Sequence, residues 1–333
     1  MKSCLCIALC LLRVLFLSAQ DMHFSQFFAA PLQMNPASTG NFTGIWRVGL
    51  NYRDQWGSVT IPYRTYDLYT DASIQPKSAN NNLGLGGYLL NDVAGDGELT
   101  TTKAIASAAY HLQLADDDSY KISVGMSGGM VLKQIDFTKL TFDSQWDGHD
   151  FDPSLSNNES TISDNLDYLD FSMGAIFTVM PYSKEKYFLG VAAHHVNEPD
   201  ASFYDVANTI GMRITANAGA FFPLNNAISL HSQVYYSTQK QDREIILGDN
   251  ASFAVVDTDN AKSFFAGAWY RYADAAWLLM GLSMANITFS ASYDFNFSGL
   301  TVASHTLGGL ELAIVYTLLK GEKKNPLNCP AYE

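Results

Sequence analysis

The stretch Trp46–Trp56, which reads W-R-V-G-L-N-Y-R-D-Q-W, decides the fold. Its side chains alternate between one set that is mainly apolar, Trp46, Val48, Leu50 and Tyr52, and one that is polar or small, Arg47, Gly49, Asn51 and Arg53. A period of two places alternate side chains on opposite faces of a β-strand. One face suits lipid or a core, whereas the other carries two cations that lipid disfavours strongly. The stretch therefore predicts a half-buried strand that needs neighbours.

The same alternation recurs along the chain and predicts fourteen strands, an even number as in single-chain outer-membrane barrels. Ile287–Phe297 and Thr306–Leu319 are the most regular of them. Even-numbered connections such as 115–119 are short, and several odd-numbered ones, above all 134–166, are long. Transmembrane barrels show this asymmetry, whereas a soluble β-sandwich has no reason for it. The sequence predicts an all-β fold, a transmembrane antiparallel β-barrel with an N-terminal periplasmic or plug segment.

The first nineteen residues have the features of a cleaved secretory signal. Lys2 precedes the apolar run Leu5–Leu17, and small residues follow it. A lipoprotein site at Cys10 is the weaker alternative, because Leu9 is bulky where a small residue is expected. Cleavage leaves Cys329 as the single cysteine, so no internal disulfide is expected. We expect a signal peptide at 1–19, a periplasmic or plug segment at 20–42, a barrel at 43–320 and a periplasmic tail at 321–333.

The charge of the chain disfavours some classes of function. The formal net charge is -13, and removal of the two cations in residues 1–19 makes the mature charge -15. Phosphate binding needs a basic surface, so a nucleic-acid partner is not expected. No later segment has the run of about 18 apolar residues that a spanning helix requires. If the chain enters a membrane, it does so as a closed barrel.

Six charged residues on the polar faces of the terminal strands form a candidate lumen charge cluster: Arg47, Arg53, Asp67, Asp71, Asp294 and Glu311. A barrel joins its first and last strands, so these residues are expected to lie close together. Opposite charges in a partly dry lumen pair to offset their desolvation. We interpret the cluster as an ion-pair network that stiffens the wall and holds residues 23–40 as a plug. A transport or selectivity role is the alternative.

The acidic segment Trp146–Pro153 lies in the longest predicted loop. We interpret it as a partner-contact loop formed by Trp146, Asp147, His149, Asp150, Phe151 and Asp152. Calcium binding is the alternative, but the regular oxygen-ligand spacing of a calcium loop is missing. His194 and His195 are adjacent, so on a strand they are expected to face opposite sides. We predict no metal site and no cofactor.

Enzymatic activity is not expected. The sequence contains no nucleophile elbow, zinc-helix motif or phosphate loop. Histidines such as His111, His194 or His231 could serve a hydrolase on the barrel wall, but no convergent acid or serine accompanies them.

Motifs along the whole mature chain resemble the PorP/SprF family of type IX secretion outer-membrane proteins. They are H-F-S-Q-F-F-A-A-P-L-Q-M-N-P-A-S-T-G (23–40), N-Y-R-D-Q-W (51–56), I-D-F-T-K-L-T-F-D-S-Q (135–145), Y-D-F-N-F-S (293–298) and N-C-P-A-Y (328–332). The first is the most specific, and from it we select His23, Phe24, Gln26, Phe27, Pro31, Asn35 and Pro36 as candidate functional residues.

The resemblance implies a non-enzymatic barrel in the outer membrane that works with type IX secretion or gliding machinery. Its expected partners are subunits of that machinery, the C-terminal domains of secreted cargo, and outer-membrane lipid. Two alternatives remain at this stage. One is a plugged transporter for small or hydrophobic solutes, and the other is a secreted adhesive β-sandwich.

Overall fold

The fold was obtained from a computed structural model, which describes residues 21–57, 61–75, 81–115, 119–157, 163–181, 184–204, 206–255, 262–299 and 301–319. Fourteen antiparallel strands form a closed barrel in which each strand pairs with its neighbours in sequence. β1 pairs with β14, from Trp46 opposite Leu318 to Gln55 opposite Gly309, and this pairing closes the sheet. The predicted barrel and its strand number are confirmed. The predicted signal peptide and C-terminal tail lie outside the described residues.

The strands are β1 Trp46–Gln55, β2 Tyr63–Ile74, β3 Asn82–Ala94, β4 Leu99–Gln113, β5 Tyr120–Gln134, β6 Asn165–Val179, β7 Lys186–His194, β8 Arg213–Pro223, β9 Ile228–Gln239, β10 Asp242–Val255, β11 Lys262–Arg271, β12 Ala275–Met284, β13 Ile287–Asn296 and β14 Leu307–Leu318. In the described part of the chain, short α-helices are α1 Pro31–Met34 and α2 Thr301–Ser304, and 3-10 turns occur at Phe27–Ala29, Pro36–Ser38, Phe137–Lys139 and Asp143–Gln145. Among the described residues, no helix is both long and apolar enough to cross a membrane.

Alternation along each strand separates an apolar exterior from a largely polar interior. On β1, Leu50 is 47% exposed, whereas Asn51 and Arg53 on the opposite face are buried. Other strands repeat the pattern, with outward leucine, methionine and phenylalanine and inward serine, threonine and asparagine. An apolar outer band over a polar lumen is what a transmembrane barrel presents to lipid.

The two ends of the barrel differ. The connections 135–164 and 195–212 lie at the end that β1 reaches at Gln55, which we call the loop end. The connections 224–227 and 285–286 lie at the opposite end, which we call the turn end and where β1 begins. The asymmetry is partial, because the loop-end connections 240–241 and 272–274 are also short.

The N-terminal segment 21–45, which we call the plug, lies inside the barrel and runs along it. Its first residue, Asp21, contacts His195 at the loop end. Its later residue Gly40 donates its backbone N–H to Asp71, at 2.7 Å, near the turn end. Ile45 then joins the sheet through a 2.8 Å hydrogen bond to the carbonyl of Leu318. The plug therefore extends from the loop end to the turn end before β1 begins.

Candidate functional site

The turn-end half of the plug is fixed by hydrogen bonds to the wall. The side-chain amide of Asn35 donates to the carbonyls of Val191, at 3.1 Å, and Ala175, at 3.3 Å. The side-chain hydroxyl of Thr39 lies 2.6 Å from the hydroxyl of Ser107. The backbone carbonyl of Thr39 accepts a 2.8 Å hydrogen bond from the Nε2 of His111. Buried polar groups without such partners cost free energy, so these bonds fix the position of the segment in the lumen.

Glycines in the wall make room for this half of the plug. A Cβ atom added at Gly84 would lie 1.9 Å from the carbonyl oxygen of Thr39, and one at Gly174 would lie 2.1 Å from the side-chain oxygen of Asn35. At Gly125 the added atom would lie 2.5 Å from the carbonyl oxygen of Pro36. Only glycine permits backbone to approach this closely. The glycines therefore shape the wall to the segment that rests on it.

The loop-end half of the plug is held by charged side chains. The carboxylate of Glu311 accepts hydrogen bonds from the backbone N–H groups of Ser25, at 2.7 Å, and Gln26, at 2.8 Å. The hydroxyl of Ser25 donates to Asp294 at 2.7 Å. Arg53 pairs with Glu311 at 3.2 Å and donates to the carbonyl of His23. Hydrogen bonds with an ionised partner are stronger than those between neutral groups, so these contacts attach the loop-end half firmly to the wall.

Two further ionic contacts join the plug to more distant strands. His23 lies 2.7 Å from Glu244 on β10, which also pairs with Arg271 on β11 at 2.8 Å. His195, just beyond β7, lies 2.8 Å from Asp170 and also contacts Asp21. The loop-end half is thus bonded to the wall around the lumen.

His195, in the connection beyond β7, and Asp21, at the start of the plug, stabilise each other's charged form. Burial lowers the pKa of His195, but its hydrogen bonds to Asp170 and Asp21 outweigh burial and raise that pKa. Burial raises the pKa of Asp21, but nearby Lys103 and the bond to His195 outweigh it and hold that pKa well below the usual range. Both effects favour the charged forms.

An aromatic cluster covers one side of the plug. The ring of Phe27 stacks on Tyr235, with centroids 5.1 Å apart, and packs edge-on against Trp269 at 5.4 Å. Phe28 stacks on Trp269, and Trp269 stacks in turn on Trp277. Aromatic pairs at these separations add to the free energy of burial. This side of the lumen is apolar, in contrast to the charged side around Glu311.

The six charged residues predicted to cluster all have interior contacts, but they form separate groups. Arg47 and Asp71 make two hydrogen bonds, of 2.9 and 2.8 Å, near the turn end. Arg53, Glu311 and Asp294 surround the loop-end half of the plug. Asp67 lies between them and accepts a 2.8 Å hydrogen bond from Asn51.

Five residues of β1 lie between Arg47 and Arg53, which places these two positions about 20 Å apart along the strand. The six charges are therefore spread along the lumen. The residues chosen in the plug divide in the same way: His23, Phe24, Gln26 and Phe27 lie in its loop-end half, and Pro31, Asn35 and Pro36 lie further toward the turn end.

One expectation that the structure corrects concerns His194 and His195. Both side chains are buried rather than on opposite faces. The reason is that β7 ends at His194, while His195 has a left-handed backbone with φ of 55°. Two other contact residues, Glu244 and Arg271, were not selected from the sequence, because the inward faces that carry them are mixed and also include Ile246 on β10 and Trp269 on β11.

The predicted partner-contact loop is exposed. Trp146 and Phe151 face each other as an isolated β-bridge, and their rings pack edge-on at 5.1 Å. The carboxylate of Asp147 accepts hydrogen bonds from the backbone N–H groups of His149 and Asp150, and these donors lower the pKa of Asp147. Within the described residues, no group of three or more histidine, cysteine, aspartate or glutamate side chains is arranged to hold a metal ion.

A closed antiparallel barrel with an apolar exterior and a filled polar lumen defines an outer-membrane β-barrel protein. The chain belongs to the family described as type IX secretion system membrane protein PorP/SprF, whose sequence model matches residues 16–316. The predicted family and the outer-membrane location are thereby confirmed. Neither the family nor the fold is an enzyme class. No curated protein matches the chain at a significant level.

Solved structures with a similar fold include two toluene transporters and a hydrocarbon channel. The Pseudomonas putida toluene transporter TodX is 9% identical, with a TM-score of 0.53, and the match covers 90% of this chain and 95% of that one. The Ralstonia pickettii toluene transporter TbuX is 12% identical, with a TM-score of 0.52, over 86% and 92% of the two chains. The CymD monoaromatic hydrocarbon channel is 11% identical, with a TM-score of 0.51, over 88% and 94%. At these identities the likeness concerns the fold alone.

Proposed function

We propose that this protein helps to export cargo proteins or anchor them at the cell surface, as an outer-membrane component of the type IX secretion or gliding system. The observation that carries the proposal is the family match over nearly the whole barrel. The plug adds a constraint, because Phe24, Gln26, Leu32 and Asn35 are among the buried residues that fill the lumen. A filled lumen directs binding to the barrel's ends, so cargo and machinery contact the loops there.

The proposed partners are subunits of the secretion or gliding machinery and the C-terminal domains of secreted cargo. The exposed loop that contains Trp146 and Phe151 is the proposed contact for one of them, because it presents these large side chains to solvent. Exposed aromatic side chains are common anchors of protein interfaces. Outer-membrane lipid surrounds the apolar exterior.

The test is deletion of the gene followed by comparison of the surface and culture-fluid proteomes. We expect particular cargo proteins to be lost from the surface, and the full-length gene to restore them. Purification of the tagged barrel in mild detergent should recover machinery subunits or cargo. Unchanged surface and secreted proteomes, together with a barrel that purifies without companions, would contradict the proposal.

A second candidate is a plugged transporter for small or hydrophobic solutes. The aromatic cluster of Tyr235, Trp269 and Trp277 favours it, because displacement of Phe27 and Phe28 would expose an apolar strip along the lumen. Planar-bilayer conductance and toluene uptake into proteoliposomes distinguish the two. Transport by the wild-type protein, with normal cargo export in the deletion strain, would favour this candidate.

A further inference from the structure

The tip of the longest loop, residues 143–155, has a defined conformation that rests on contacts within the tip itself. The backbone N–H of Asp152 donates to the carbonyl of Gln145 at 2.9 Å, and that of Asp147 donates to the carbonyl of Asp150 at 3.1 Å. These bonds close a small hairpin across the bridge between Trp146 and Phe151. The hairpin therefore holds its own shape.

This hairpin presents apolar side chains to solvent. Trp146 is 50% exposed, Phe151 is 48% exposed and Leu155 is 41% exposed. The rings of Trp146 and Phe151 pack edge-on, with centroids 5.1 Å apart, so each ring stays partly open to solvent. Large apolar groups held in a fixed, exposed arrangement are typical of protein interaction sites.

Negative charge surrounds the apolar tip. Residues 143–155 contain Asp143, Asp147, Asp150 and Asp152 and contain no lysine or arginine. The nearest upstream cation in the sequence, Lys139, is neutralised by Glu98 at 2.6 Å. The neighbouring loop-end connections add further acids, Asp96 on one side and Glu198 and Asp200 on the other. The field over this part of the loop end is therefore negative.

The side chains of two of the four aspartates on the hairpin make no contact that shapes it. Asp147 and Asp152 accept hydrogen bonds that shape its turns. Asp143 and Asp150 make no side-chain hydrogen bond or ion pair within the described part of the chain, and both are exposed. Their carboxylates are available to a partner.

We propose that the hairpin 143–155 is a docking site for a polypeptide surface in which an apolar pocket is rimmed by lysine and arginine. The pocket would take Trp146 and Phe151, and the cations would face Asp143 and Asp150. Charge complementarity selects a cationic protein partner over a membrane surface, since anionic lipid head groups would be repelled by the same aspartates. This inference rests on the proposed function and specifies the chemistry of one partner.

The test begins in whole cells that produce the full-length chain with p-benzoylphenylalanine at position 155, a substitution that leaves both aromatic rings in place. We expect light to cross-link a protein through a peptide rich in lysine or arginine, identified by mass spectrometry. The purified cross-linked protein is then bound to the detergent-solubilised barrel at 50 and 500 mM NaCl. The same barrel is also incubated with vesicles that contain anionic lipid.

Two double variants separate the parts of the site. Replacement of both Trp146 and Phe151 by alanine should weaken binding about ten-fold or more at either salt concentration. Asp143→Asn combined with Asp150→Asn should weaken binding several-fold at 50 mM NaCl and have little effect at 500 mM, because salt screens exposed charges. Replacement of the exposed Asp96 and Glu198 by their amides is the matched control for net charge and should have a smaller effect.

A cross-link to an acidic peptide, a cross-link to lipid alone, the absence of any cross-link, or binding insensitive to salt and to both double variants would overturn the inference. Failure of the proposed function has a different signature. If cargo still fails to reach the surface in the deletion strain while the hairpin has no cationic partner, only the inference fails. If the hairpin binds such a partner but deletion leaves cargo unaffected, only the proposed function fails.

Discussion

Glu311 on the last strand accepts a 2.7 Å hydrogen bond from the backbone N–H of Ser25, which lies 286 residues earlier in the chain. The same carboxylate accepts from the next backbone N–H, that of Gln26. A side chain of the closing strand thus recognises the main chain of the plug. Closure of the barrel and placement of the plug are therefore linked through one buried carboxylate.

Glu311→Gln is expected to release the loop-end half of the plug. The change removes the buried partner of Arg53 and weakens two charge-assisted bonds, each worth about 1.5–3 kcal/mol. We expect a lower midpoint of heat-induced mobility shift on gels and larger ion conductance in planar bilayers. The exposed Glu198→Gln is the control. Unchanged conductance and midpoint in Glu311→Gln would show that Glu311 does not hold the plug.

The strands were predictable from the sequence because lipid and lumen impose opposite polarity on neighbouring side chains. β13 was expected at Ile287–Phe297 and is found at Ile287–Asn296. The ends were less predictable, as the last strand was expected at Thr306–Leu319 and is found at Leu307–Leu318. Hydrogen-bond register with the neighbouring strand, rather than residue type, decides where a strand ends.

Gly84→Ala is expected to displace the turn-end half of the plug. Its Cβ would lie 1.9 Å from the carbonyl oxygen of Thr39, and both atoms belong to rigid backbone regions. The readout is labelling of a cysteine introduced at Ser38, which is buried, by a maleimide reagent. We expect labelling several-fold faster than in the same protein with Gly84 intact.

Gly299→Ala is the matched control for this change, because a Cβ at Gly299 meets no described atom within 4 Å. The expected result is labelling at the parental rate. Equal labelling in the Gly84 and Gly299 variants would mean that the wall tolerates the extra methyl group and that the glycine does not position the plug.

The contacts across the lumen were not predictable from the sequence. A period of two assigns Glu244 to the same face as Ile246 and Arg271 to the same face as Trp269, but it does not tell which plug residue lies opposite them. His195 meets Asp21 because the connection after β7 turns inward and the plug extends to the loop end. These contacts depend on the diameter of the barrel and on the path of the plug, which has no regular period. Neither the diameter nor the path produces a pattern in the sequence.

The attachment of Asp21 to His195 is expected to depend on pH. The pKa of His195 is raised above its ordinary value of 6.5 by its bonds to Asp170 and Asp21. A raised pKa in the folded state contributes stability that is fully present below about pH 6.5 and is lost as pH rises through the raised value. Detergent stability should therefore decrease as the pH rises above about 6.5.

His195→Gln is the variant that isolates this effect. It keeps hydrogen-bonding capacity and removes the titration, so we expect a flatter dependence of stability on pH than in the wild-type protein. His149→Gln, in the exposed hairpin, should keep the wild-type dependence. If the dependence of stability on pH were the same in His195→Gln as in the wild-type protein, groups other than His195 would cause it.

Arg47→Ala is expected to weaken the barrel in detergent more than it weakens partner binding. Arg47 makes two hydrogen bonds to Asp71, and Asp71 also accepts from the backbone N–H of Gly40 in the plug. Loss of one partner of a buried ion pair costs about 3–5 kcal/mol, because the other charge is left buried. The pair lies near the turn end, far from the hairpin that we propose for docking.

Arg64→Ala is the matched control, since Arg64 pairs with Asp54 at 3.3 Å in an exposed position, where a pair contributes about 0–1 kcal/mol. The measurements are the midpoint of heat-induced mobility shift and the affinity for a partner recovered with the wild-type barrel. If Arg47→Ala abolished partner binding while the midpoint stayed that of wild type, the residue would act in recognition or transport rather than in holding the plug.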